Sequence, residues 1–208
     1  MKKKLFAIIL MVCTIGFITA CGSSGSEEQT DVEGQTEAAV EESTDAAAPD
    51  AAETMVIYFS VTGNTEGVAE TIADITGADT YKIEAAEPYT DADIDYNNDS
   101  SRASIEQDDP TARPAFAGEA PSLEDVKTVY FGYPIWFGQA PRIMDTFVES
   151  VSFDGITVIP FCTSGSSSIG DSAKTLEQNA GSGTWIEGQR FGAGASEDEI
   201  GNWIESLQ

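Results

Sequence analysis

The sequence of 208 residues contains no histidine, and only 10 lysines and arginines stand against 36 aspartates and glutamates, which gives a formal charge of −26. Without histidine, neither a Ser-His-Asp triad nor a Cys-His pair can form, and a histidine-ligated zinc or haem site is excluded as well. The shortage of positive charge argues against nucleic acid as a partner, because cationic contacts with phosphates supply most of that affinity. It also argues against binding to an anionic membrane surface by charge alone.

The N-terminal segment has the pattern of an export signal. Lysines at positions 2–4 precede an apolar run over residues 5–18, which is shorter than the about 20 residues of a transmembrane helix and has the length of a signal-peptide core. The run leads into Thr19-Ala20-Cys21-Gly22, which resembles the signal of a bacterial lipoprotein. The resemblance implies a signal peptide over residues 1–20 and diacylglycerol on the sulfur of Cys21, and so a lipid anchor at the extracytoplasmic face of the cell membrane. An ordinary secretory signal is the alternative.

Residues 21–54 have the composition of a disordered tether. From residue 22 to residue 54 the chain has 10 acidic residues and no lysine, arginine or aromatic residue. Such a segment buries too little apolar area to offset the loss of chain entropy on folding. We therefore expect an extended, self-repelling link between the lipid and a folded domain at residues 55–208.

Cysteine is scarce, with three residues in the whole chain. Because Cys13 lies in the signal and Cys21 is the proposed lipid site, Cys162 is the one cysteine of the predicted domain. The domain therefore has no intrachain disulfide and must depend on its hydrophobic core for stability. Cys162 lies in an apolar run without a neighbouring lysine, which favours a buried, unreactive thiol over a reactive one.

Residues 55–208 alternate between strand and helix patterns. Apolar runs predict four strands and a partly polar fifth, at residues 55–59, 80–83, 126–132, 156–161 and 185–191. Helical spacing of apolar residues predicts helices at residues 65–75, from 141 to 151, from 168 or 171 to 179, and from 196 onward. Five strands with interleaved helices predict an α/β fold, with a doubly wound parallel sheet and helices on both of its faces.

The loop between the first strand and the first helix has the features of an anion site. It has the sequence Ser60-Val61-Thr62-Gly63-Asn64-Thr65. Free backbone N–H groups at a helix N-terminus favour an anion there, and Gly63 allows close approach of the backbone. The loop contains no lysine, as a Walker-type phosphate loop would, and no G-x-G-x-x-G fingerprint. A helix cap without a ligand is the alternative.

Three loops together resemble those of the flavodoxin family. Ser60-x-Thr62-Gly63-Asn64-Thr65 resembles the loop that binds the FMN phosphate, and Gly132–Gly138 resembles the second flavin loop, in which an aromatic residue flanks the isoalloxazine ring. Thr163-Ser164-Gly165, after the fourth strand, resembles the third loop. The resemblance covers residues 55–208 and implies a flavodoxin-like sheet of order 2-1-3-4-5. It implies FMN as the cofactor, bound by Ser60, Thr62, Gly63, Asn64, Thr65, Pro134, Ile135, Trp136, Phe137, Gly138, Thr163, Ser164 and Gly165. The alternatives are that Tyr133 and Trp136 are core aromatics and that the third loop has no ligand.

The polar segment at residues 88–121 interrupts the alternation after the second strand. A short helix around residues 101–107 fits its pattern, and long segments of this kind in compact domains are usually functional or disordered. The segment resembles an insertion of a flavodoxin-like subgroup. We expect it to lie near the flavin edge and to shape access, and a surface excursion away from the flavin is the alternative.

The resemblance implies an FMN-dependent electron-transfer protein or oxidoreductase outside the cytoplasmic membrane, with quinones or a membrane redox chain as candidate substrates. No catalytic side chain is predicted, because the flavin itself performs the redox chemistry. Residues 55–208 have a formal charge of −19, which favours a basic protein as the redox partner. Two alternatives stay open. One is a flavodoxin-fold lipoprotein that has lost FMN and acts as a binding or scaffold module. The other is an α/β hydrolase, which the absence of histidine and of G-x-S-x-G disfavours.

Overall fold

The computed structural model describes residues 53–208. The predicted signal peptide at 1–20, the predicted lipidation site Cys21 and the predicted tether up to residue 52 lie outside the described residues. Strands and helices alternate as β1 Thr54–Phe59, α1 Asn64–Thr76, β2 Asp79–Ile83, α2 Arg102–Asp108, β3 Thr128–Pro134, α3 Arg142–Ser150, β4 Thr157–Thr163, α4 Ser172–Ala180, β5 Thr184–Trp185, β6 Gln189–Phe191 and α5 Glu197–Ser206.

All strands pair in parallel in the order β2-β1-β3-β4-β5, and β6 also pairs with β4. This order confirms the predicted doubly wound sheet. Because successive side chains of a strand point to opposite faces, Ile57 belongs to one buried cluster and Val56 to another. The first cluster contains residues of α3 and α4, and the second contains residues of α1 and α5. The helices therefore cover both faces of the sheet. Among residues 53–208, no helix has both the length and the apolar character needed to span a bilayer.

The fifth strand, predicted as one element over 185–191, is interrupted. Val158 of β4 is paired with Trp185 and Phe161 with Gln189, so three steps along β4 face four steps along its partner. Pro160 lies between these two paired positions of β4 and has no N–H to donate to a ladder. A Cβ on Gly188 would lie 2.6 Å from the carbonyl oxygen of Pro160, so the bulge also needs a glycine at that position.

The segment at residues 88–121 is ordered by its own polar side chains. Asp95, Asn98 and Asp109 each accept a hydrogen bond from a backbone N–H two residues further on, at 2.8–3.0 Å, which is the turn geometry that Asp and Asn favour. The predicted short helix is α2, and it begins after Ser101, whose Oγ accepts from the N–H of Ser104. The segment then returns to the sheet, where Phe116 forms an antiparallel bridge with Ala85.

We predict that Gly132→Ala destabilises the protein strongly. A Cβ at this position in β3 would lie 2.1 Å from Cζ of the buried Phe161 ring, and overpacking of this kind costs about 1–3 kcal/mol or more. Gly67→Ala is the matched control, because Gly67 lies in α1 with open space around it. There the substitution should stabilise by about 0.5–1 kcal/mol. Urea denaturation of both variants measures the difference, and equal stability of the two would contradict the packing described for β3.

Candidate functional site

A cavity of about 610 Å³ lies at the carboxyl ends of the central strands. Its walls are formed mainly by the loops that follow β1, β3 and β4, which are residues 60–65, 134–138 and 163–167. Because β1 lies beside β3 and the chain order reverses there, the cavity occupies the switch point at which open α/β sheets bind ligands. Its volume is in the range of sites that hold a small molecule or cofactor.

The structure brings together twelve of the thirteen residues predicted to bind the cofactor. Those that line the cavity are Ser60, Thr62, Asn64, Thr65, Pro134, Ile135, Trp136, Phe137, Gly138, Thr163, Ser164 and Gly165. Gly63 is not among the lining residues. It precedes α1 with a φ of 85°, a left-handed conformation that glycine adopts without steric cost, and it therefore shapes the loop through its backbone.

The hydroxyl of Ser60 is a candidate hydrogen-bond donor to a ligand. Ser60 is only 8 % exposed, and its Oγ has no hydrogen-bond partner among the described residues. Leaving a buried polar group unpaired costs about 1–3 kcal/mol. The same loop opens α1, whose first N–H groups favour an anion. An acceptor atom of a bound anion would remove the cost at Ser60.

One hydrogen bond joins the first loop to the third. The Oγ1 atoms of Thr65 and Thr163 lie 2.8 Å apart, and both side chains are buried. Each hydroxyl has one proton, and only one of the two protons is used in this bond. The other hydroxyl proton is therefore available to a ligand. The pair fixes the distance between two loops that are far apart in sequence.

The third loop is held from behind by β6. Arg190 donates from Nη2 to the carbonyl oxygen of Ser164 at 2.5 Å and from Nε to its Oγ at 3.2 Å. The Ser164 hydroxyl itself donates to the carbonyl oxygen of Ser167. The side chain of Ser164 is thus committed to the loop. Arg190 has no carboxylate partner within residues 53–208, so it places an unpaired positive charge behind the cavity wall.

The second loop presents an aromatic ring from an unusual backbone conformation. Trp136 and Gln139 exchange two backbone hydrogen bonds, at 2.9 and 3.0 Å, across Phe137 and Gly138. Both central residues have positive φ, 49° and 80°, as a two-residue type I′ turn requires. Positive φ is uncommon for a bulky residue. Phe137 is 46 % exposed at the cavity, and the centroid of its ring lies 5.2 Å from that of Tyr96.

Trp136 and Tyr133 are largely core residues. Trp136 is 3 % exposed and makes T-shaped contacts with Phe59 and Tyr89, with ring centroids 5.7 and 5.1 Å away. Tyr133 is fully buried, and its phenol lies 3.0 Å from Oγ of Ser172. Burial raises the pKa of Tyr133, which keeps the phenol neutral. The exposed aromatic surface at the cavity therefore belongs to Phe137 and Tyr96.

Six further residues line the cavity that the sequence analysis did not assign. They are Val61, Ile94, Tyr96, Ser166, Ser167 and Ala193. Val61 and the two serines lie within or next to the recognised loops, and adjacency alone could have indicated them. Ile94 and Tyr96 come from the segment at 88–121, in which no local sequence pattern indicates which side chains face the cavity. Their position supports the hypothesis that this segment shapes access to the cavity and argues against a surface excursion.

These features define an open α/β protein with an anion-compatible loop and an aromatic rim at its switch point. The flavodoxin family profile matches residues 53–207, and the chain therefore belongs to the flavodoxin family. Candidate flavoproteins from Bacteroides uniformis and Bacteroides eggerthii are 43 % and 42 % identical, with TM-scores of 0.70 and 0.69. Each match covers 74 % of this chain and 97 % of the other.

A flavoprotein from Lactobacillus acidophilus, solved in complex with FMN, has the same fold at 19 % identity and a TM-score of 0.55, and the match covers 73 % of this chain and 97 % of that one. None of the curated proteins matches the sequence.

We predict that Cys162 does not react in the native protein. Burial raises the pKa of its thiol to about 12, although Arg190 acts in the opposite direction, so the nucleophilic thiolate is absent at neutral pH. Treatment with iodoacetamide, followed by mass spectrometry of the peptide that contains Cys162, should show labelling in urea and none under native conditions. Native labelling as fast as that of the unfolded chain would contradict the burial of this thiol.

Proposed function

We propose that this protein binds FMN in the cavity and serves as an electron-transfer protein or oxidoreductase. The observation that supports it most directly is the unpartnered, buried Oγ of Ser60 at the start of the loop that precedes α1. A phosphate there would accept from Ser60, from the free proton of the Thr65–Thr163 pair and from the first N–H groups of α1. The donors are neutral, so the loop binds the phosphate without a cation.

The other two loops suit a planar, partly apolar ring system. Pro134, Ile135 and Phe137 supply apolar surface on one side. On the other side, the Ser164 hydroxyl is used within its own loop. Backbone groups and the hydroxyls of neighbouring serines therefore remain for polar contacts with the ring system. When bound, FMN supplies one- and two-electron redox chemistry. The protein supplies binding, orientation and the surrounding charge.

Among residues 53–208, those that line the cavity include no carboxylate, lysine, arginine or cysteine side chain. Tyr96 is the ionisable residue in the wall, and burial raises the pKa of its phenol, so it is neutral at physiological pH. Proton exchange at a bound ligand therefore depends on water and hydroxyl groups. This suits a site in which the cofactor performs the chemistry and no side chain acts as an acid or a base near neutral pH.

We place this activity at the outer face of the cell membrane, with the lipid on Cys21 as the anchor and residues 21–54 as the tether. The support is the sequence pattern of residues 1–22 and the acidic, aromatic-free composition that follows it. Quinones or a membrane redox chain would then be within reach as substrates. The charge of −19 on residues 55–208 would attract a basic redox partner in a salt-dependent way.

The first test is a fluorescence titration of FMN with the purified apoprotein, for the wild type and for Ser60→Ala. Wild-type protein should quench flavin fluorescence, and Ser60→Ala should raise Kd about tenfold, because a hydrogen bond to a charged group is worth about 1.5–3 kcal/mol. The apoprotein should lose no stability, since the hydroxyl has no partner in it. Ser100→Ala, at an exposed position, is the control. No quenching by wild type at micromolar concentration would reject FMN and favour the scaffold alternative.

The second test concerns the anchor. Wild-type protein produced with its own N-terminus in a bacterial host should fractionate with the membrane and incorporate labelled palmitate. Cys21→Ala should lose the label and the membrane association, because the thioether-linked diacylglycerol has no site of attachment. Cys13→Ala is the matched control and should behave as the wild type. Membrane association of Cys21→Ala equal to that of the wild type would reject the lipoprotein assignment.

A further inference from the structure

The segment at residues 88–121 reaches the ligand cavity in two ways, and one of them is indirect. Ile94 and Tyr96 line the cavity. Gln107, near the end of α2, does not line it, but its side-chain amide donates to the backbone behind the second loop. Nε2 of Gln107 lies 2.9 Å from the carbonyl oxygen of Trp136 and 3.0 Å from that of Ala140.

The two carbonyl groups bracket the turn that presents Phe137. Trp136 is the first residue of that turn, and its carbonyl oxygen also accepts from the N–H of Gln139. The left-handed conformation of Phe137 is unfavourable for a residue with a side chain. A strained conformation of this kind persists only when surrounding contacts hold it. Gln107 supplies two such contacts, one on each side of the turn.

The amide of Gln107 is used entirely as a donor. Nε2 donates to the first residue of the turn and to the residue that follows it, while Oε1 is buried and has no hydrogen-bond partner in the described part of the chain. An unpaired buried oxygen is unfavourable. The contribution of this side chain to the structure therefore lies in its N–H groups, and an apolar side chain of the same length would not replace it.

The position of α2 is itself fixed from two sides. Arg142, at the start of α3, donates to the carbonyl oxygens of Glu106 and Gln107 at 3.4 and 3.1 Å. On the other side, the Glu106 carboxylate accepts from the phenol of Tyr89 at 2.6 Å, and Nη1 of Arg102 donates to the carbonyl oxygen of Glu87 at 2.7 Å. The amide of Gln107 is thus held in place beneath the turn before any ligand binds.

We propose that Gln107 is a positioning residue that holds the Trp136–Gln139 turn in its strained form and so keeps the Phe137 ring at the mouth of the cavity. Through the hydrogen bonds of Gln107, the segment at residues 88–121 affects the shape of the cavity as a whole, although only two of its residues line the cavity. The consequence for FMN affinity rests on the function proposed above. The consequence for the turn holds in the apoprotein and does not depend on FMN.

Hydrogen exchange of the purified full chain without ligand tests the turn. In Gln107→Met, and in the near-isosteric Gln107→Glu, backbone exchange in the peptide that covers residues 136–140 should become about tenfold faster, while exchange in β1 and β3 stays unchanged. Gln178→Met, on the exposed face of α4, is the control and should leave this peptide as in the wild type. Unchanged exchange at residues 136–140, or an equal increase throughout the sheet, would overturn the proposal.

A double-mutant comparison separates support of the strained turn from general packing. Phe137→Gly relieves the backbone strain, because glycine adopts positive φ freely. In that background Gln107→Met should accelerate exchange at residues 136–140 by less than roughly threefold, since a relaxed turn needs less support. The same acceleration in both backgrounds would show that Gln107 acts independently of Phe137 and would overturn the proposal.

Two further measurements complete the test. With FMN, Gln107→Met should raise Kd about tenfold, which corresponds to about 1.4 kcal/mol, and a wild-type Kd for Gln107→Met would overturn the link to the site. Absence of FMN binding by wild type would reject the proposed function and leave the exchange results to decide on the turn. If neither Gln107 variant folds, nuclear magnetic resonance of the wild type decides. The side-chain amide protons of Gln107 should exchange much more slowly than those of exposed Gln178, and equal rates would overturn the proposal.

Discussion

The parallel direction of all strands is the constraint from which the rest of the site follows. Because β1, β3 and β4 run the same way and lie side by side, their carboxyl ends meet at one edge, and the three loops converge there. The hydrogen bond between Thr65 and Thr163 then sets the spacing between the first and third loops. Sheet register brings these loops to the same edge, and single side-chain contacts fix their positions relative to one another.

The second loop depends on a different kind of support. Its turn is closed by backbone hydrogen bonds between Trp136 and Gln139, but its left-handed conformation at Phe137 is held by contacts from a segment that interrupts the strand–helix alternation. That segment is itself ordered by short-range Asp and Asn turns and by an ion pair between Arg113 and Glu149 of α3. The segment at residues 88–121 is thus packed against the site, and substitutions in it should alter the cavity.

The strands, the helices and the first loop could be predicted from local sequence patterns, whereas the strand order and the second and third loops were assigned through the resemblance to the flavodoxin family. Apolar runs defined the strands, and a glycine and hydroxyl pattern at a strand–helix junction defined the first loop. The interruption of the fifth strand could not be predicted, since it depends on Pro160 facing Gly188 across two strands. The exposure of Phe137, with Trp136 turned into the core, follows from a backbone conformation that no apolar pattern encodes. Ile94, Tyr96 and Gln107 come from the segment at residues 88–121, and the local sequence there does not indicate which side chains face the cavity or the second loop.

The composition of the cavity wall has a consequence for how the site responds to its surroundings. Hydroxyl, amide, apolar and neutral phenol groups form the wall. The groups that form the wall are therefore uncharged in acidic and in neutral media. Any pH sensitivity of the site therefore comes from the molecule that it binds. Salt can still change how the acidic outer surface attracts a partner, while the interior of the site stays the same.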